Sequence, residues 1–372
     1  MTQTPVAQKP VAQTPAVNSE TASAASTIGL AAAGVRAALT HIDEVTATTR
    51  RALDAVIDGH IPAGVLAELS ATVVPRWHFA MLNDHERNDA FATALERQLT
   101  PGAHVLDIGS GSGLLALAAA RAGAGHVTTC EANPLLAEVA RQVIAAHGYA
   151  DRVTVLAGHS GTMRVGRELA APADLIISEI VDCGLVGEGI LPTIMHARAE
   201  LLAPGGVMLP VGARLIGQLV QAPVITDLNH VDVACGFDVT LMNSLATFGH
   251  FPVRLATRPH SVLCHPAELL SFDFTGPVGL RHQRTVPVTV TASGIAHAMV
   301  AWFELDLGAG VVVRTTPDNA VTHWMQAFIP FTTPIRVDAG ERLRVDIRCD
   351  GTRLFAAPRS TDAPPPPEER TP

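Results

Sequence analysis

Lysine is almost missing. Lys9 is the only one in 372 residues, and every other basic residue is arginine. With 26 Lys+Arg against 35 Asp+Glu, the formal net charge is −9. A chain of this balance offers no broad basic face, which excludes nucleic acid as the expected partner. It suits a cationic substrate. The preference for arginine over lysine reads as a GC-rich coding bias and carries no function. Aromatics are only 4% of residues, and Tyr149 is the sole tyrosine. The core must therefore come from aliphatic residues and alanine. The five cysteines (Cys130, Cys183, Cys235, Cys264, Cys349) are odd in number and form no C-x-x-C pair. That pattern predicts neither a disulfide framework nor a metal site, and it fits a reduced, cytoplasmic protein. No apolar run reaches the length of a membrane span, and no basic start with an apolar stretch marks a signal peptide.

What is present begins at Val105-Leu106-Asp107-Ile108-Gly109-Ser110-Gly111-Ser112-Gly113. An apolar strand runs into three alternating glycines, which let the backbone turn tightly and approach a ligand. Leu114–Ala122 reads as a helix and His126–Cys130 as a second strand ending at Glu131. An acid at that place is set to accept hydrogen bonds from ribose hydroxyls. The spacing is not G-x-G-x-x-G, and Asp107 stands two residues before the first glycine. A carboxylate there repels a pyrophosphate and can pair with an amino group. S-adenosylmethionine has such a group and no phosphate, and the pattern resembles motif I of the class I methyltransferases.

The rest of the chain predicts two further layers. Residues 1–35 are expected to be a disordered tail and 36–75 to form N-terminal helices, one over 36–58 and one over 63–71. Residues 76–99 read as helix. Residues 76–209 are expected to be a doubly wound, Rossmann-like domain, with strands near 104–108, 126–130, 153–157 and 174–178 and helices near 114–122 and 134–147. After Pro210, short β-like runs predict a β-barrel domain over 210–357, with 229–250 as a helical insertion. Residues 358–372, with four consecutive prolines, are expected to be a second disordered tail.

After the fourth strand, Glu179-Ile180-Val181-Asp182-Cys183-Gly184-Leu185-Val186-Gly187-Glu188 places two glutamates nine apart around a loop. Two carboxylates in apolar surroundings are costly unless a cation pairs with them, and a guanidinium fits by planarity and permanent charge. Here the chain resembles the protein arginine N-methyltransferases. The double-glutamate hairpin, Thr322-His323-Trp324, and the segment His78-Phe79-Ala80-Met81-Leu82-Asn83-Asp84-His85-Glu86-Arg87 all match that family in order. The wording of the hairpin and of Met81–Asn88 is most similar to the monomethylating, type III branch.

The resemblance implies S-adenosylmethionine as cofactor, S-adenosylhomocysteine as product, and no metal. It implies that Arg87 pairs with the cofactor carboxylate and that Met81 and His78 pack near its sulfonium end. Asp107, Gly109 and Gly111 would line the loop, Glu131 the ribose, and Gly158, His159 and Ser160 the adenine. Glu179 and Glu188 would clamp the substrate guanidinium, with Asp84 and His323 as a catalytic pair and Trp324 walling the pocket. Asp182 adds a third acid that either binds a substrate amino group or faces water. Residues 229–250 would be a dimerisation arm, giving a head-to-tail homodimer. The aromatic helix usual over the cofactor is degenerate here, and Gly161 stands where an acidic adenine contact is common. The expected activity is methylation of free L-arginine or a small guanidino metabolite. Methylation of arginine in proteins, a non-guanidine substrate and an inactive scaffold stay open as alternatives.

Overall fold

The structure, a computed structural model, describes residues 19–57, 70 and 73–359. The first compact unit contains helix α1 (Ser19–Ile57). It begins inside the segment expected to be tail, because Ala, Ser and Glu over 19–35 are compatible with helix as well as with coil. The helix expected over 63–71 lies, Ser70 apart, outside the described residues, as do 1–18 and 360–372.

The second unit starts at Arg76. The single helix expected over 76–99 is two, α2 (Trp77–Leu82) and α3 (His85–Gln98). Asn83 and Asp84 break it by competing for the backbone. Asn83 Nδ2 donates to Phe79 O, and Asp84 leaves the helical region to accept from the Arg87 amide as the N-cap of α3. The break aims Asp84 inward, where it is 2% exposed.

Five strands then form a parallel sheet in the order β3-β2-β1-β4-β5. They are β1 (His104–Ile108), β2 (His126–Glu131), β3 (Val153–Ala157), β4 (Ala173–Ser178) and β5 (Leu202–Leu209). Helices α4 (Leu114–Arg121), α5 (Pro134–Ala146) and α6 (Ile190–Glu200) make the crossovers. Leu106, Ile176 and Ile177 are fully buried, as strands covered on both faces require. The strand order reverses between β1 and β4. Their carboxyl ends are where such a sheet opens a crevice.

The chain then turns antiparallel. One sheet carries Ser261–Val262, Gly212–Gln221, Gly294–Asp306, Gln326–Val337 and Phe251–Val253 in that order, with Ala267–Asp273 and Val312–Arg314 paired alongside. A three-stranded sheet carries His282–Thr289, Arg342–Cys349 and Leu354–Arg359. The last strand runs past residue 357 into the stretch expected to be tail. One large apolar core joins both halves, from Phe91 and Leu106 to Phe303 and Ile347, and a second, smaller cluster holds Val220, Ala298 and Phe328.

The 229–250 insertion is not an α-helix. Val233–Ala234 pairs with Phe237–Asp238 around Cys235-Gly236, both left-handed, and a 3-10 turn follows at Thr240–Leu245. A two-residue loop with both central φ positive is the turn that joins antiparallel strands.

Candidate functional site

The glycine loop leaves β1 with Gly109, Gly111 and Gly113 all at positive φ. At Gly109 the need is also steric, since a Cβ would sit 2.7 Å from Ile180 Cγ2. The two loops that leave β1 and β4 therefore touch at bare backbone. Glu131, at the end of β2, fixes the same loop. Its carboxylate accepts from the Gly111 amide and from the Asn133 amide, each at 2.8 Å.

A cavity of ≈ 230 Å³ opens over these strand ends. Gly109, Gly111, Glu131, Gly158, His159 and Ser160 line one part, and His78, Met81, Glu179 and Glu188 the other. Its lining carries three glutamates and neither arginine nor lysine, so it suits a cationic nucleoside and not a pyrophosphate. With half-buried backbone at Gly109 and Gly111 and the Glu131 carboxylate in the same lining, these residues fit a sulfonium nucleoside.

Two residues expected at this wall stand behind it. Asp107 is fully buried and accepts from Thr129 Oγ1 at 2.7 Å. Burial raises its carboxyl to about 6, against the Thr129 hydrogen bond and the Arg87 charge. It is the fourth of the five residues of β1, it does not line the cavity, and its Oδ1 has no hydrogen-bond partner among the described residues. Arg87 is 3% exposed and turned to Glu179. Its Nε donates to Glu179 Oε2 at 3.0 Å, and the Nη2 end forms an ion pair with the same oxygen. Two opposite charges buried side by side satisfy each other.

A second cavity, ≈ 310 Å³, lies on the other side of the glutamates. Trp77, Met81, Glu179 and Glu188 line both cavities. Val181, Asp182, Cys183, Pro252, His323, Trp324 and Met325 complete the second. The two spaces thus meet at the paired acids.

The acids differ. Glu179 is held by Arg87. Glu188 is solvent-accessible at the junction, and among the described residues its carboxylate has no hydrogen-bond or ion-pair partner. Burial of its surroundings, then the charges of Glu179 and Asp182, raise it to about 7. Asp84 lies behind the second cavity. Its Oδ2 accepts from His323 Nδ1 at 2.9 Å, from the His323 amide at 2.8 Å and from Thr322 Oγ1. Burial alone would raise Asp84, but the hydrogen bonds from His323 and the Arg87 amide lower it to about 2. Trp324 donates Nε1–H to Val181 O at 3.1 Å, which fixes the indole against the hairpin.

Asp182 lines the second cavity but does not simply face water. One oxygen accepts from the Gly184 and Gly187 amides, and the other meets His250 Nε2 at 2.7 Å. Burial and the Asp182 charge push the neighbouring Cys183 thiol well above its usual range, so it stays protonated. Trp77 and His250 escaped the sequence reading. Trp77 directly precedes the matched segment and stacks on His78, with ring centroids 3.8 Å apart. His250 lies 68 positions from Asp182 and has no local signal.

Residues 84–212 match the family described as ribosomal protein L11 methyltransferase, and residues 218–359 match the arginine methyltransferase oligomerization subdomain. The arginine N(omega)-methyltransferase of Streptomyces achromogenes subsp. streptozoticus is 54% identical over 283 residues, covering 76% of this chain and 78% of that one. The chain belongs to the protein arginine methyltransferase family. Protein arginine N-methyltransferase 7 of Oryza sativa subsp. indica is 32% identical over 263 residues, 64% of this chain, which spans only 36% of that longer relative. Among solved structures, the Trypanosoma brucei PRMT1 enzyme–prozyme heterotetrameric complex with AdoHcy superposes with a TM-score of 0.66 at 26% identity, over 74% of this chain and 90% of that one. This family member is an S-adenosylmethionine-dependent methyltransferase with a Rossmann-like core and an antiparallel sheet domain.

Proposed function

We propose that this methyltransferase acts on the guanidinium of free L-arginine or a small guanidino metabolite. The observation that carries the reading is the junction of the two cavities at Glu179 and Glu188, where one acid already has its cation and the other has none. A guanidinium entering the second cavity finds Glu188 as an unpaired carboxylate and Glu179 as a partly neutralised one. It stays protonated in water, with its lone pairs delocalised, and is a poor nucleophile. Held by the acids in one plane, it concentrates positive charge on the bonded nitrogens and leaves another nitrogen with more lone-pair character. The bound cofactor supplies a methyl group whose leaving group is a neutral thioether. Orientation and fixed charge account for most of the rate. With S-adenosylmethionine held by the first cavity's residues, the guanidinium nitrogen would take the methyl group and Glu188 would take the proton that this nitrogen loses. The raised proton affinity of Glu188 suits it as the base. Asp84 holds His323 at the wall, and Trp324 closes the side.

The name of the Streptomyces relative supports a small acceptor. We further propose a homodimer formed through the 229–250 arm, supported by its exposed apolar side chains and by the oligomerization subdomain that this region matches. The deciding experiment is mass spectrometry after incubation with S-adenosylmethionine and either free L-arginine or arginine-rich peptides. A +14 Da product from free arginine is expected. Methylated peptides beside untouched free arginine would overturn the choice of substrate and favour the protein-directed alternative, to which the acidic chain also lends itself.

A further inference from the structure

The 229–250 insertion ends at a histidine that reaches the hairpin between the two glutamates. His250 is 9% exposed. Its Nδ1 accepts from the Leu354 amide at 3.1 Å. A ring nitrogen that accepts carries no proton, so in the neutral ring the proton sits on Nε2. Nε2–H then donates to Asp182 Oδ2 at 2.7 Å. The second oxygen of Asp182 accepts from the Gly184 amide at 3.1 Å and the Gly187 amide at 2.7 Å. One carboxylate thereby closes the hairpin on itself, and one imidazole ties it to the strand Leu354–Arg359. The packing admits no side chain. A Cβ at Gly184 would lie 2.3 Å from His250 Nε2, and one at Gly187 2.3 Å from Asp182 Oδ2. Gly187 directly precedes Glu188.

We infer that His250 is a positioning residue for methyl transfer: through Asp182 and the Gly187 amide it fixes where the Glu188 carboxylate stands. Glu188 makes no hydrogen bond of its own among the described residues, so its place is set by the backbone that carries it. That backbone is held by Asp182, and Asp182 is held by a residue of the other half of the molecule. The inference rests on the reading of Glu188 as the guanidinium acid, and it names what keeps that acid in register.

The two ring nitrogens can be tested apart in the full-length chain. An Asn amide reaches about where Nδ1 stands, and a Gln amide about where Nε2 stands. His250→Asn therefore keeps the Leu354 bond and loses Asp182, while His250→Gln does the reverse. For His250→Asn, kcat/KM for L-arginine should fall roughly tenfold to a hundredfold, the scale of a displaced reacting group, with the KM for S-adenosylmethionine unchanged. His250→Gln should keep near-normal kcat/KM even with a lowered Tm. Wild-type kinetics in His250→Asn, or equal loss in both variants, would overturn the inference. The 13C titration of the Glu188 carboxylate gives a readout that needs no substrate. Its midpoint should move in His250→Asn and not in His250→Gln. If the native chain methylates no guanidine yet that pattern appears, the functional reading falls and the positioning role stands. If the native chain methylates arginine and neither variant differs from it, the positioning role alone falls.

Discussion

Glu179 and Glu188 carry the same side chain in opposite circumstances. Arg87 neutralises the first within the protein, and the second meets the junction of the cavities without a counter-ion. Glu188 binds its proton more tightly folded than unfolded, with a carboxyl raised from 4.5 to about 7. Its stabilising contribution is complete below about 4.5, where both states are protonated, and is lost as pH rises through about 7. Glu188→Gln removes that loss. The variant should melt above the native protein at pH 8 and together with it near pH 4.5, while turnover drops at least about a hundredfold. Calorimetry and steady-state kinetics on one preparation check both arms, and near-normal turnover would end the case for the clamp. The acidic limb of kcat/KM in the native protein should fall near pH 7, since that profile reports the free enzyme.

The turn from β1 into α4 depends on Gly109. An alanine there must adopt φ +88 and place its Cβ 2.7 Å from Ile180, the neighbour of Glu179. The backbone cost alone is about 1–2 kcal/mol, and Ile180 must also shift. Gly109→Ala should lower Tm and weaken cofactor affinity, measured by calorimetric titration with S-adenosylhomocysteine. Unchanged affinity would show that the loop tolerates the side chain. This element was readable in the sequence because apolar periodicity and glycine spacing are local. So were the parallel strands and the double-glutamate hairpin. The partners of Arg87, Asp107 and Asp182 were not readable. Each faces a residue from a distant segment, and nothing in residues 76–99 says that Arg87 turns to position 179. The arm expected to be helical is so only at Thr240–Leu245, as a 3-10 turn. Cys235-Gly236 turns the chain back first.

The arm exposes Val233 at 64%, Phe237 at 72%, Leu241 at 59% and Leu245 at 64%. Large apolar side chains exposed to this degree on one short insertion call for a covering surface. In the proposed dimer a second copy provides it. A Phe237→Ser, Leu241→Ser double variant should sediment as a monomer at micromolar concentration with its fold retained, and a native chain already monomeric there would exclude the dimer. The last residue of the same insertion is His250, so the surface offered to a partner and the acid offered to a substrate are linked through the His250–Asp182 hydrogen bond and the hairpin amides that Asp182 holds. Neither the exposure of the arm nor that connection can be seen in residue order, because both depend on how the antiparallel sheets fold back.

Arg87 is itself a guanidinium seated against Glu179, a tethered copy of the head group the neighbouring acid would receive. A common laboratory denaturant has that same cation. If Glu188 receives a guanidinium as proposed, guanidinium chloride should act as a ligand at low concentration before it unfolds this protein at high concentration. Its first increments should stabilise by mass action and inhibit together. Unfolding curves taken in it would mix two opposing effects, which uncharged urea would not.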